Sequence, residues 1–134
     1  MTAGLGEVTG YAFAAVGVGA VLGAWMRWML GIVLNPVFPW VPLGTLAANV
    51  IGGYLVGVAV ELLAIHTQWP LEVRLFVITG FLGGLTTFST FSAEAVELLS
   101  RGQPGWFCVH VAAHLFGSLL LTALGIYTVR ALQI

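Results

Sequence analysis

The sequence has very little charge. Its 134 residues include no Lys and no Asp, and its charged groups are four Arg and five Glu. Charged residues make up 7% of the chain, whereas a soluble domain carries about 25%. Hydrophobic residues make up 60% of the sequence, and the mean hydropathy is +1.05. Such a chain cannot cover itself with polar side chains, so we expect an integral membrane protein. The lack of a basic patch argues against a nucleic-acid partner.

Other absences narrow the function. The single cysteine, Cys108, allows neither an internal disulfide nor a thiolate metal cluster, and because it lies in an apolar run we expect it to be packed. The first residues carry no basic group, so no cleaved signal peptide is predicted and the first apolar segment should stay in the bilayer. There is no GxxxxGK(S/T) run, no HExxH and no nucleophile–base pair, so we expect neither ATP-driven transport nor an enzyme.

Four apolar segments are long enough to cross a bilayer, whose hydrocarbon core of about 30 Å requires about 20 helical residues. The short breaks between them contain Pro and have a Trp inside or beside them, which is typical of polar turns next to an interfacial aromatic belt. We therefore predict an all-α integral membrane protein. Its single transmembrane domain covers residues 1–134, with spans at about 11–33, 41–65, 73–99 and 107–129.

The arginines are divided evenly between the two ends of this bundle. Arg74 and Arg130 fall on the side of the termini, and Arg27 and Arg101 fall on the opposite side. The positive-inside rule therefore gives no direction of insertion. Either a further factor resolves a weak bias, or copies insert in both directions. In the second case they would pair as an antiparallel, dual-topology homodimer, whose two-fold axis lies in the membrane plane.

The third segment gathers hydroxyl, glycine and aromatic residues at its middle, in the run GGLTTFSTF at 83–91. Glycines weaken a helix, and Ser and Thr side chains offer replacement partners to freed backbone groups. We therefore predict that the third helix is broken at the bilayer midplane. Non-helical backbone survives at that depth only where protein or water covers it, and broken helices are a recurring way to build ion sites.

Two further polar features lie within the spans. Asn49 in the second span must be hydrogen-bonded, either as glue between helices or as part of a polar pathway. The fourth span carries a slowly turning polar stripe at His110, His114, Ser118 and Thr122. Two His four residues apart suit a metal ion, but no Cys or carboxylate shares their face, so we do not expect one. Arg27, near a span end, is either an anchor in the headgroups or a cation that attracts anions to a vestibule.

Three stretches resemble one known family. GFLGGLTTFSTFSAE (80–94) is similar to the third-helix motif of the Fluc/CrcB fluoride channels, and GAVLGAWMRWMLG (19–31) and PLGTLAANVIGGYLVG (42–57) resemble the family's first and second helices. The resemblance covers nearly the whole chain. It implies an antiparallel homodimer in the bacterial inner membrane with two narrow pores. Through these pores fluoride leaves the cell passively, which protects the cell.

The resemblance also implies roles for individual residues. Asn49 is the pore amide, and Phe88 and Phe91 are the pore aromatics, which come from different subunits in any one pore. Backbone carbonyls of Gly83 and Thr86 hold one structural Na⁺ on the two-fold axis, four oxygens in all. The other residues implied to line or flank the pathway are Arg27, Thr87, Ser89, Thr90, Glu94, Ser118 and Thr122. His110 departs from the pattern, since some members carry Tyr there, and we place it in the pore as well.

Two rival functions stay open. A small dual-topology multidrug or cation transporter has the same number of spans, but it needs a membrane-embedded carboxylate to bind cationic drugs and protons. The first span has none, and Glu61 and Glu94 lie toward span ends. A structural subunit of a larger complex would not need a hydroxyl-rich break at the membrane centre. Both rivals are therefore weaker than a fluoride channel.

Overall fold

The computed structural model describes residues 8–132, and all regular secondary structure in that range is helical. Four long apolar helices suited to crossing a membrane are present, as the sequence predicts. The first is α1 (Gly10–Leu34), which passes into a 3-10 turn (Asn35–Val37), and the second is α2 (Leu43–Ile65). The third crossing, Leu71–Ser100, consists of α3 (Leu71–Arg74), a π-helical segment (Leu75–Leu82), α4 (Gly83–Leu85) and α5 (Phe88–Ser100). The fourth is α6 (Pro104–Leu132).

The helix ends have local causes. Thr9 caps α1, since its hydroxyl accepts a first-turn N–H at 3.2 Å. After α5 the chain turns at Gly102, whose φ of 70° is accessible to glycine without strain. The N–H groups of Gly102 and Gln103 donate to carbonyls in the last turn of α5, both at 2.9 Å. The carbonyls at this helix end are therefore satisfied, and α6 starts two residues later.

Glycines set two close helix crossings. Gly19 of α1 lies against the third crossing, where an added Cβ would come within 2.6 Å of the Phe76 carbonyl oxygen. Gly57 of α2 and Gly125 of α6 face the backbone of each other's helix, and a Cβ at either would collide with it. Small residues thus let the backbones approach without side chains between them, as expected for helices in a membrane.

A small core lies between α2 and the third crossing. Ala48 of α2 and Leu85 of α4 are fully buried, and Leu82 is 2% exposed. Leu85 is the last residue of α4, so the core fixes the chain immediately before residues 86 and 87. These two residues are the ones that interrupt the helix.

The outside of the bundle is apolar. Large hydrophobic side chains are exposed on each long helix, among them Phe13, Trp28 and Leu120. Cys108 is exposed as well, so the prediction that it is packed inside is wrong. The error has a physical cause: lipid tails are as apolar as a protein core, so an apolar run in a membrane helix does not indicate which face is buried.

Candidate functional site

The helical conformation of the third crossing stops at two threonines. Thr86 (φ −84°, ψ 155°) and Thr87 (φ −151°, ψ 121°) are both extended. Asn49 of α2 pairs with Thr87 as one strand residue pairs with another. Its Oδ1 accepts the Thr87 N–H at 2.7 Å, and its Nδ2 donates to the Thr87 carbonyl at 2.9 Å. One side chain therefore satisfies both backbone groups of a residue that has left the helix.

The break withdraws the usual donors from the carbonyls of Gly83 and Thr86. In a continuous helix the N–H of Thr87 would donate to Gly83, and the N–H of Thr90 would donate to Thr86. Here the Thr87 N–H donates to Asn49, and the Thr90 N–H donates to the hydroxyl of Thr87 at 3.1 Å, which caps α5. These are the two carbonyls to which the resemblance assigns Na⁺. Gly83 is exposed on the surface of the protomer.

A cavity of about 490 Å³, called here the first cavity, lies beside the break. The residues that line it include Asn49, Thr87, Phe88, Phe91, His114 and Ser118. The structure thus brings several of the predicted pore residues around one space, with walls from α2, α5 and α6. The first cavity is open on one side and Phe88 is 80% exposed, so a single protomer leaves this wall incomplete.

The aromatic rings form a continuous group along one wall. Phe88 and Phe91, in the first turn of α5, have centroids 5.5 Å apart and planes tilted by 49°. The Phe91 ring also lies 4.8 Å from the ring of His114 and 5.2 Å from that of His110. Both phenylalanines line the same cavity in one protomer. The split between subunits that the resemblance implies is a property of a dimer and stays a prediction.

The second N–H of the Asn49 side-chain amide is also hydrogen-bonded. Nδ2 lies 3.1 Å from Nδ1 of His114. Since the Thr87 backbone fixes which end of the amide is nitrogen, Nδ2 must donate and Nδ1 of His114 must accept. The proton of a neutral His114 ring therefore sits on Nε2. An anion that takes a hydrogen bond from Asn49 has to replace His114.

A second cavity of about 360 Å³ shares Thr87 with the first, and Arg27, Thr45 and Thr90 also line it. Nε of Arg27 donates to the Gly84 carbonyl at 3.0 Å. The guanidinium is thus attached to the chain next to the break, and its two predicted roles, as an anchor in the headgroups or as a cation at a vestibule, stay predictions. It places a fixed positive charge beside the threonines of the second cavity.

A third group of side chains could hold a metal ion. Glu94 of α5 and His110 and His114 of α6 each offer a ligand atom, and these atoms lie within 4.8 Å of one another. Thr45 of α2 donates its hydroxyl to Oε1 of Glu94 at 2.6 Å, and Oε2 lies 3.7 Å from Nε2 of His110. From the sequence we expect no metal, because no carboxylate shares the histidines' face of the fourth span. This holds for α6 itself, but a neighbouring helix brings Glu94 to the two histidines.

Four predicted pathway residues line neither of the two cavities. Glu94 and His110 belong to the group just described. Thr122 donates its hydroxyl to the Gly53 carbonyl at 3.0 Å and so joins α6 to α2. Ser89 is exposed, with its hydroxyl 3.3 Å from that of Thr87. The pore roles of these residues stay predictions.

Two residues of the site are missing from the predicted set. Thr45 precedes Asn49 by four residues, so the helical repeat places it on the same face of α2. His114 is part of the polar stripe of the fourth span, but the sequence does not show that it contacts Asn49. The four-residue spacing from Asn49 could have predicted that Thr45 belongs to the site. The contact of His114 depends on how α2 and α6 cross.

Replacing Asn49 by Leu should destabilise the protein, because the N–H and carbonyl of Thr87 would both lose their partner in an apolar environment. We expect the free energy of unfolding to fall by about 2 kcal/mol or more, since each unsatisfied group costs about 1–3 kcal/mol. Equilibrium unfolding in mixed micelles measures the change. Gln103→Leu, in the turn before α6, is the control and should shift stability by less than about 0.5 kcal/mol. Equal shifts in the two variants would contradict the role of Asn49.

Comparison with known proteins agrees with this geometry. A family model described as CrcB-like protein, Camphor Resistance (CrcB), matches residues 14–126. A protein of Nitrosospira multiformis is 62% identical over 120 residues, covering 90% of this chain and 94% of the relative. A protein of Dechloromonas aromatica is 58% identical over 130 residues, covering 97% and 96%. Both relatives are named fluoride-specific ion channel FluC. Since the match spans the break and both cavities, the chain belongs to the CrcB-like protein family.

Proposed function

We propose that the protein is a fluoride channel that lets F⁻ leave the cell passively and so protects the cell from fluoride. The first cavity carries this proposal, because an amide, two phenylalanine rings and the Ser118 hydroxyl line one space at a break in a membrane helix. The two relatives named above as fluoride-specific ion channels support it. The four long apolar helices make the chain a multi-pass membrane protein. We place it in the bacterial inner membrane and expect no catalysis.

The chemistry of the first cavity suits a small anion. Fluoride concentrates its charge on a small surface, so removing its water is costly unless donors replace that water along the path. Within residues 8–132, the lining of the first cavity includes no Arg and no Glu, so no full charge there traps or repels the ion. Fluoride would accept the Asn49 N–H that His114 now holds. The electropositive edges of Phe88 and Phe91 would supply the rest of its shell.

The alternative, a small dual-topology multidrug or cation transporter, needs a carboxylate in the transport path itself to bind the cation. Glu61 instead accepts two hydrogen bonds from Arg130, at 2.8 and 3.1 Å. Glu94 accepts from Thr45, and neither carboxylate lines the first cavity. These contacts favour the channel over the transporter.

We propose that two oppositely inserted copies form the channel. The exposed Phe88 ring, the exposed Gly83 and the open side of the first cavity together mark a surface that a second copy would cover. Residues 86 and 87 lie at the middle of Leu71–Ser100, so in the proposed dimer the break of the third helix would lie at the bilayer midplane. A two-fold axis in the membrane plane passes through that depth, so the two breaks would face each other.

We further propose that one Na⁺ lies on this axis, held by the carbonyls of Gly83 and Thr86 from each copy. Both carbonyls have lost the donor that a continuous helix would give them, and Gly83 lies on the surface that the dimer would cover. Four carbonyl oxygens suit a hard monovalent cation. When bound, the ion would neutralise the partial negative charge of these oxygens and join the two subunits.

Phe88→Ile should lower fluoride efflux from liposomes by about tenfold or more, equivalent to about 1.4 kcal/mol, because isoleucine has no electropositive ring edge. Fluoride and chloride electrodes read the efflux in parallel, and we expect fluoride release without chloride release. Phe13→Ile is the control, since that ring is 73% exposed on α1 and away from both cavities. Equal release of chloride, or unchanged fluoride efflux in Phe88→Ile, would falsify the proposal.

If copies insert both ways, reporters fused after residue 134 should be detected on both sides of the membrane in one culture. Two Lys introduced in the 101–105 loop should force one orientation and remove activity, because positive charge is retained on the cytoplasmic side. Co-expression with a copy that carries two Lys in the 66–70 loop should restore fluoride efflux. A single orientation of the unmodified chain, or full activity of either forced copy alone, contradicts the antiparallel dimer.

Replacing Na⁺ by N-methylglucamine should lower the thermal stability of the purified dimer, because an ion that binds only the folded state stabilises it. The effect is about 2.7 kcal/mol when the ion is present at about 100 times its Kd. Adding back Na⁺ should restore the stability, whereas the same concentration of Mg²⁺, which keeps its own water shell, should not. Equal stability in both buffers would contradict the sodium proposal, whereas the proposal of a fluoride path would still stand.

A further inference from the structure

Glu94, His110 and His114 form a polar cluster beside the first cavity, and of the three only His114 lines that cavity. Oε2 of Glu94, Nδ1 of His110 and Nε2 of His114 are all buried and make no hydrogen bond within residues 8–132. His110 is 0% exposed and His114 is 5% exposed. A buried polar atom without a partner is costly. Three such atoms on side chains that already contact one another indicate a site for a ligand.

We propose that these three side chains bind a transition-metal cation of the Zn²⁺ type, and that the bound ion slows the movement of fluoride. Two imidazoles and a carboxylate are a ligand set that zinc takes, with an open fourth position. Mg²⁺ and Ca²⁺ prefer oxygen ligands alone, so they should not compete. The two histidines are four residues apart on α6, and one possible ligand atom of each of the three side chains lies within 4.8 Å of the others. Around zinc these atoms would sit about 3.3 Å apart, which side-chain rotation can reach.

Two of the three ligands are already oriented by contacts outside the cluster. Thr45 donates to Oε1 of Glu94 at 2.6 Å and leaves Oε2 for the metal. Nε2 of His110 lies 3.3 Å from the carbonyl oxygen of Phe91. When Nε2 donates its proton there, the lone pair of the ring is on Nδ1, which is the atom without a partner. Metal-bound histidines commonly donate their second nitrogen to a carbonyl or carboxylate in this way.

His114 connects the cluster to the first cavity. Its Nδ1 accepts a hydrogen bond from Asn49, so its proton lies on Nε2. For Nε2 to bind a metal, the proton has to move to Nδ1 and the hydrogen bond from Asn49 has to break. Metal binding and the present Asn49–His114 contact therefore exclude each other. With the metal bound, the ring cannot take the Asn49 N–H back when fluoride leaves, so the ion is released more slowly. This part rests on the proposed function, whereas the metal site itself does not.

Titration calorimetry with ZnCl₂ tests the site on the purified full chain in detergent, after removal of any histidine tag. We expect saturable binding, and Co²⁺ should give the visible absorption of a tetrahedral site. Glu94→Gln and His110→Phe should each weaken binding by about tenfold or more, since each removes a ligand. His66→Gln removes the histidine outside the cluster and should leave the affinity unchanged.

Absence of saturable Zn²⁺ binding to the folded parent chain overturns the proposal. Affinities within about twofold of the parent in both Glu94→Gln and His110→Phe also overturn it, because the ion would then lie elsewhere. Gel filtration identifies variants that fail to fold, and His114→Phe is used in place of any variant that does not fold.

Fluoride efflux, measured against each protein's own zinc-free rate, tests whether the bound ion slows fluoride. Zn²⁺ should slow efflux through the parent and His66→Gln but not through His110→Phe. If Zn²⁺ binds but leaves efflux unchanged, the inhibitory part is wrong. If no protein releases fluoride, the proposed function fails while calorimetry still decides the site.

Discussion

The reciprocal pair of hydrogen bonds between Asn49 and Thr87 is the interaction on which the rest of the structure depends. The two residues are 38 positions apart in the chain, and the amide offers a donor and an acceptor in the geometry of a neighbouring strand. In a bilayer no water is available to take over those bonds, so an extended residue within a helix needs partners from the protein. The amide provides both partners. It also ties α2 to the third crossing at the level of the break.

The same pair determines where the other groups of the site lie. Because the N–H of Thr87 is taken by Asn49, the carbonyl of Gly83 loses its helical donor, and the Thr87 hydroxyl is free to cap the next helix. That cap sets the start of α5, and with it the positions of Phe88 and Phe91. The sequence leaves two roles open for Asn49, as glue between helices or as part of a pathway. The two roles do not exclude each other, because the Asn49 side chain that joins the two helices also lines the first cavity.

The sequence predicts those features that depend on residues close together in the chain. Hydropathy gives the four helices, and the run at 83–91 marks the place where helical bonding fails. What it could not predict depends on which faces of different helices meet. The carboxylate beside the two histidines comes from another helix, and the exposure of Cys108 is hidden because lipid and protein are equally apolar. Thr122 shows the same limit, since a hydroxyl on a polar stripe can face a path or, as here, a backbone carbonyl.

The contact between Asn49 and His114 suggests how an amide in this position can serve an anion. A donor left free in an apolar cavity would be costly, whereas a donor bound to a carboxylate would be held too strongly to be released. A neutral imidazole nitrogen at 3.1 Å lies between these cases, because it orients the N–H and carries no full charge. Hydrogen bonds to ionised acceptors are about twice as strong as neutral ones, so fluoride can displace the ring. In the proposed channel the path would therefore present an oriented donor that an arriving anion can take, and the ring would take it back when the ion leaves.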